Sequence, residues 1–71
     1  LTDFSSDIAL HEATVANDPA VPRAHLALAE AYAYSSRFDL ARDHLHRALA
    51  LWPGYRQAEA ALAPLEAERA R

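Results

Sequence analysis

Two prolines that lie 34 residues apart constrain the fold of this chain more than any other feature. Pro19 follows Asp18, and Pro53 follows Trp52 and precedes the only glycine, Gly54. Because proline disfavours α geometry in the residue before it, a helix should end near each of these positions. The chain is therefore predicted to divide into helical segments that repeat with this period.

Four helices are predicted around these breaks, over about residues 3–17, 22–35, 36–51 and 54–70. Thr2 or Asp3 is the expected N-cap of the first helix, and Pro22 suits the first turn of the second, where its missing N–H costs nothing. Ser36 and Asp39 have the spacing of a capping box at the start of the third helix. In the fourth helix Pro64 cannot donate to Ala60, so a kink is expected there.

No segment alternates apolar and polar residues as a half-buried strand would, so the predicted fold class is all-α. The links between helices are only two to five residues long, which makes neighbouring helices antiparallel. The chain is thus expected to be a stack of antiparallel helical hairpins. Trp52, at the end of the third helix, is expected to bury against the next helix.

The sequence also matches itself when it is shifted by 34 residues. Nine of 37 aligned pairs are identical, where about four or five are expected by chance in a chain with 18 alanines. The pairs Phe4–Phe38 and Pro19–Pro53 carry most weight, because both residue types are rare in this sequence. A helix–turn–helix unit of 34 residues is the period of the tetratricopeptide repeat.

The central segment, residues 22–55, resembles a tetratricopeptide (TPR) repeat over its whole length. Its repeat-signature residues are His25, Leu28, Ala29, Tyr32, Phe38, Ala41, Leu45, Ala48 and Pro53. His25 stands where the family usually has Trp, and Ala29 where it usually has Gly. Small residues allow close approach of the helices, Leu28, Tyr32 and Leu45 fill the seam between them, and Phe38 should cap that seam at the turn.

This resemblance implies a single domain over residues 1–71 with a TPR-like right-handed solenoid of about two repeats. Residues 1–19 form the second half of a preceding repeat, residues 22–55 the full repeat, and residues 55–71 a capping helix. The family's concave face implies a groove for a peptide or a partner helix, with Ala60 and Ala61 as counterparts on the last helix. The partner-binding residues implied in this way are Arg23, Leu26, Ala27, Glu30, Ala33, Tyr34, Tyr55 and Gln57.

The chemistry of this groove differs from that of the family's carboxylate clamp. The positions that would hold Lys, Asn and Arg are occupied here by Leu26 and Glu30 in the central repeat and by Gln57 and Ala61 in the last helix. A carboxylate clamp is therefore not expected. Leu26, Tyr34 and Glu30 are suited to an apolar or basic ligand.

Composition excludes several other classes of function. The net charge of −3, with arginines scattered among ten carboxylates, argues against nucleic acid, and no apolar run is long enough for a membrane helix. There is no cysteine, and no two histidines have the three- or four-residue spacing that presents two metal ligands together. We therefore expect no enzymatic activity, no metal, no cofactor and no direct membrane contact. The expected location is the cytoplasm.

Three functional hypotheses follow. The leading one is a protein–protein interaction or scaffolding module that binds a protein or peptide. Because about two repeats are fewer than a stable solenoid needs, the second is a homodimer. The third is an appendage of a larger enzyme, because the runs at residues 10–15, 17–19 and 22–25 resemble the first repeats of TPR tails on some membrane-embedded sugar transferases.

Overall fold

The computed structural model describes the chain from Phe4 to Arg69. Over this range it consists of four α-helices and no strand: α1 (Phe4–Asn17), α2 (Pro22–Tyr34), α3 (Phe38–Leu51) and α4 (Arg56–Arg69). The prediction of an all-α chain with four helices is confirmed for these residues. The N-cap expected at Thr2 or Asp3, and the helix end expected near Ala70, lie outside the described residues.

Each helix packs against the next one along the chain, and α4 also reaches α2. The connections, residues 18–21, 35–37 and 52–55, are too short to let a helix continue in the same direction, so successive helices run antiparallel. The contact between α2 and α3 is the most extensive. This helix pair forms the centre of the fold, with α1 and α4 on either side.

The core lies along the seam between α2 and α3. Leu28, Leu45 and His25 are the largest fully buried side chains, and Tyr32 lies beside them. The core also contains alanines that are almost completely buried: Ala29 of α2, Ala41 and Ala48 of α3, and Ala58 of α4. Since a methyl group takes up little space, the helix backbones can approach each other closely wherever an alanine faces the neighbouring helix.

The turn between α2 and α3 differs from the prediction of a capping box. Ser36 has a positive φ of 64°, and no side chain caps the start of α3, where Arg37 is the residue before the helix. The backbone N–H of Arg37 donates to Tyr32 O at 2.8 Å, and that of Ser36 donates to Ala33 O at 3.1 Å. These two bonds form a Schellman motif, so Ser36 ends α2 rather than starting α3.

We expect the substitution Ser36→Gly to raise the free energy of unfolding by about 0.5–1 kcal/mol, because serine pays a steric cost in the left-handed region that glycine does not. Urea unfolding followed by circular dichroism measures this difference. Ser35→Gly is the matched control, since Ser35 has a negative φ and its Oγ donates to Tyr32 O at 3.0 Å. A stabilisation by Ser35→Gly equal to that by Ser36→Gly would contradict the explanation.

The structure gives further detail on one helix boundary and on two aromatic residues that the sequence analysis placed. Helix α4 begins at Arg56, two residues later than expected, and continues through Pro64 without ending there. Phe38 is 40% exposed and does not belong to the core, so its place at the turn between α2 and α3 is at the protein surface. Trp52 is 52% exposed, which contradicts the expected burial against the next helix.

Candidate functional site

An elongated groove is bounded by α1, α2 and α4 and is called here the α1–α2–α4 groove. It exists because, within the described residues, α1 and α4 both pack against α2 but not against each other. Its volume is about 980 Å³. The groove is lined by Leu10, His11, Thr14, Val21, Arg23, Ala24, Leu26, Ala27, Glu30, Tyr55, Gln57, Ala60 and Ala61.

Most of the partner-binding residues predicted from the sequence lie in this groove. The structure brings together six of them: Arg23, Leu26, Ala27, Glu30, Tyr55 and Gln57. Ala33 and Tyr34 are not among its lining residues; they form a separate shallow depression with Glu30. The expected binding surface is therefore divided at Glu30, and Tyr34 lies beyond it with an exposed side chain.

One wall of the groove was not predicted. Leu10, His11 and Thr14 of α1 line it opposite α4. Their spacing of one and four residues places them on one side of a helix, and this spacing is visible in the sequence. The repeat pattern concealed it, because the family resemblance assigns the groove to the first helix of each repeat and α1 is a second helix.

The surface of the groove combines small apolar side chains with a few polar groups at its edge. Ala24 and Leu26 are buried in its floor, and Ala60 is exposed on the α4 wall. The exposed side chains of Arg23 and Glu30 put opposite charges on α2, seven residues apart. At 1.5 Å per residue this spacing corresponds to about 10 Å along the helix.

Tyr55 has a buried hydroxyl that finds no partner among the described residues. Its side chain lines the groove and is 4% exposed, and within the described part of the chain no group hydrogen-bonds to its hydroxyl. The ring of Trp52 stacks on that of Tyr55, with centroids 4.6 Å apart and an angle of 16° between the planes. A buried hydroxyl without a partner costs free energy, so Tyr55 is held there by the packing of its ring rather than by its polar group.

A second polar cluster lies in the seam between α2 and α3, outside the groove. His25 Nε2 is 2.8 Å from Pro19 O, and His25 Nδ1 is 3.1 Å from His44 Nδ1. The two imidazole rings lie side by side, with centroids 5.3 Å apart and an angle of 26° between the planes. The ring of Tyr32 stacks on that of His44, with centroids 5.6 Å apart. His25 is therefore a hydrogen-bonded core residue.

Burial and neighbouring charges change the acidity of two groups in this cluster. Burial lowers the pKa of His44 below its usual range, and its neighbours His25 and Arg47 lower that pKa further. Burial raises the pKa of Tyr32 to about 12, aided by its hydrogen bond to Glu12 and by the negative charge of that carboxylate. Tyr32 Oη donates to Glu12 Oε2 at 2.5 Å, which connects α2 to α1.

Among the described residues, no group of three or more His, Asp or Glu side chains is arranged to hold a metal ion. Over the same part of the chain, no helix is both long enough and apolar enough to cross a membrane. No protein-family model matches this chain, and no curated protein or solved structure matches it either. Inferences about its function therefore depend on the groove and the polar cluster themselves.

Proposed function

We propose that this chain is a protein–protein interaction module that binds a segment of a partner protein in the α1–α2–α4 groove. The observation that carries this proposal is the groove itself, a cavity of about 980 Å³ between two helices that do not pack against each other over the described residues. A volume of this size with a mainly apolar lining is typical of binding sites. We do not propose that this chain catalyses a reaction, binds a metal ion or binds nucleic acid.

The groove favours a particular chemistry in the partner. Its alanines leave room for a bulky apolar side chain, and Leu26 provides apolar contact at the floor. A segment that presents an acidic group to Arg23 and a basic group to Glu30 complements the two charges at the edge.

The arrangement we propose for the helices is a TPR-like right-handed solenoid of about two repeats, in which residues 22–55 are the full repeat. It is supported by the 34-residue self-match and by the burial of small residues at signature positions, among them Ala29, Ala41 and Ala48. In this arrangement α2 and α4 are equivalent helices of successive repeats. Their facing sides then form the concave surface to which the groove belongs.

The proposal is tested with peptides selected from a random display library on the wild-type chain. Ala60→Glu places a bulky charge on the groove wall, and we expect it to weaken the selected peptides about tenfold or more, equivalent to ~1.4 kcal/mol. Affinity is measured by fluorescence anisotropy. Ala63→Glu is the matched control, because Ala63 is also exposed on α4 but does not line the groove.

Two further variants locate the binding surface within the predicted set. Tyr55→Phe removes only the buried hydroxyl and keeps the ring that lines the groove, so it should leave affinity unchanged and the fold at least as stable. Tyr34→Ala changes the part of the predicted surface that lies outside the groove and should leave affinity unchanged. If Tyr34→Ala abolished binding while Ala60→Glu did not, the partner would bind elsewhere and the proposal would be wrong.

A homodimer is the second candidate function, and exposed apolar side chains on α1 favour it. Leu10 is 64% exposed, and Ala9 and Ala13 beside it are exposed as well. Light scattering at two protein concentrations distinguishes the alternatives, because a mass that stays at that of the monomer excludes the dimer. The third hypothesis, an appendage of a membrane-embedded sugar transferase, depends only on the short resemblance within residues 10–25.

A further inference from the structure

The pair formed by His25 and His44 joins three parts of the fold. His25 belongs to α2 and His44 to α3, while the carbonyl of Pro19 belongs to the connection between α1 and α2. His25 is only 2% exposed, so water does not replace a hydrogen bond that this side chain loses. The pair is also separate from the α1–α2–α4 groove, whose lining includes neither histidine.

The hydrogen bonds determine where the protons of the neutral pair lie. The carbonyl of Pro19 can only accept, so His25 Nε2 carries a proton and donates it. Neutral His25 then has a lone pair on Nδ1, which accepts from His44 Nδ1. The neutral pair therefore consists of His25 protonated at Nε2 and His44 protonated at Nδ1.

The same geometry limits the number of protons that the pair can hold. A first additional proton can bind at His44 Nε2, since the N–H of His44 Nδ1 still donates to His25. A second would have to bind at His25 Nδ1, where it would face another N–H across 3.1 Å. Two donors face each other in that state and two cationic rings lie side by side, so the contact between α2 and α3 has to open.

Several charged groups face the pair and modulate the first protonation. Glu12 of α1 and Asp43 of α3 favour the charged form of His44, while Arg47 of α3 opposes it. The neighbouring Tyr32 of α2 stacks on His44 and donates to Glu12, which holds that carboxylate near the cluster. A shallow depression lined by Pro19, His25 and Arg47 provides a route for protons from solvent.

We infer that the His25–His44 pair is an acid-sensitive latch, which holds α2, α3 and the α1–α2 connection together when neutral and releases them when it is fully protonated. Opening frees Pro19 and loosens α1 from the rest of the fold. Because α1 carries Leu10, His11 and Thr14, the loosening also changes one wall of the groove; this last consequence alone depends on the proposed function.

The direction of the pH dependence follows from burial. The pKa of His44 is lower in the folded state than in the unfolded state. The unfolded chain therefore binds more protons once the pH falls below about 6.5. The stabilising effect of the latch is therefore fully present above that pH and is lost as the pH falls further. Urea unfolding at pH 7.5, 6.0 and 5.0 measures this loss without any partner.

The decisive comparison uses His44→Gln and His46→Gln. Glutamine at position 44 can still donate to His25 Nδ1 but cannot take up a proton. We expect the unfolding constant of the wild type to rise by several-fold more between pH 7.5 and 5.0 than that of His44→Gln. His46 is an exposed histidine on the same helix whose Nε2 lies 2.9 Å from Glu66 Oε1. Because such an exposed pair contributes little and glutamine can donate to the same carboxylate, His46→Gln should follow the wild type.

Nitrogen-15 NMR of the wild type provides a second test that does not depend on how a variant folds. At pH 7.5 the spectrum should show His25 protonated at Nε2 and His44 protonated at Nδ1. Observation of His44 protonated at Nε2 instead, or equal pH dependence of the wild type and His44→Gln, overturns the latch. Failure of the groove to bind peptides leaves both readouts unaffected, so the two proposals are tested separately.

Discussion

Replacement of Leu45 by alanine is expected to lower the free energy of unfolding by about 3–4 kcal/mol. Leu45 is 1% exposed and lies in the seam between α2 and α3, so its loss leaves a cavity that helices on both sides cannot easily close. A chain of this length has a total stability of roughly 4–10 kcal/mol. Circular dichroism during urea denaturation should therefore show that about a third or more of the stability is lost.

Leu40 provides the matched control for this prediction. It lies on the same helix and has the same chemical structure, but it is 44% exposed. Leu40→Ala should cost less than about 1 kcal/mol, because nearly half of the side-chain surface is already in contact with water. Equal losses from the two substitutions would mean that α3 does not present Leu45 to α2.

The helices of this fold were predictable because the chain marks their ends with specific residues. Three prolines lie within or next to a connection between helices: Pro19, Pro22 and Pro53. The ends that differ are those marked by weaker signals. The spacing of Ser36 and Asp39 predicted an N-cap, but Ser36 adopts a positive φ and ends α2 instead.

One part of the candidate site was predictable from the sequence, and the other part was not. The periodicity of α2 places Arg23, Leu26, Ala27 and Glu30 on one face, and the structure keeps them together in the groove. The contribution of α1 depends on α1 and α4 not packing against each other, which is a property of the assembled fold. Periodicity within a single helix cannot show this.

The His25–His44 pair was also not predictable from the spacing of residues within one helix. Histidines at positions 25 and 44 belong to different helices, so no spacing within one helix connects them. Their pairing results from the antiparallel packing of α2 on α3, which brings the two Nδ1 atoms to 3.1 Å. The resemblance to a repeat with tryptophan at this position identified a core residue, but it gave no indication that the core there is polar.

The second large effect is expected from adding volume where the helices approach most closely. Ala48 is completely buried on α3, in line with Ala41 and Leu45 on the same face. Ala48→Leu forces a side chain with three additional carbon atoms into a space filled by a methyl group. We expect a loss of about 2–3 kcal/mol, at the upper end of the range for overpacked cores, because the backbones on both sides have to move apart.

Ala50 on the same helix provides the control, because it shows the effect on stability of replacing alanine by leucine where there is no crowding. It is exposed, so Ala50→Leu introduces the same leucine without a clash and should change stability by less than about 0.5 kcal/mol. Thermal denaturation of the two variants, beside the wild type, measures the difference. If Ala48→Leu proved as stable as Ala50→Leu, the close approach of α3 to its neighbours would be absent in solution. Because α3 also positions His44 against α2, the geometry inferred for the latch would then be untenable as well.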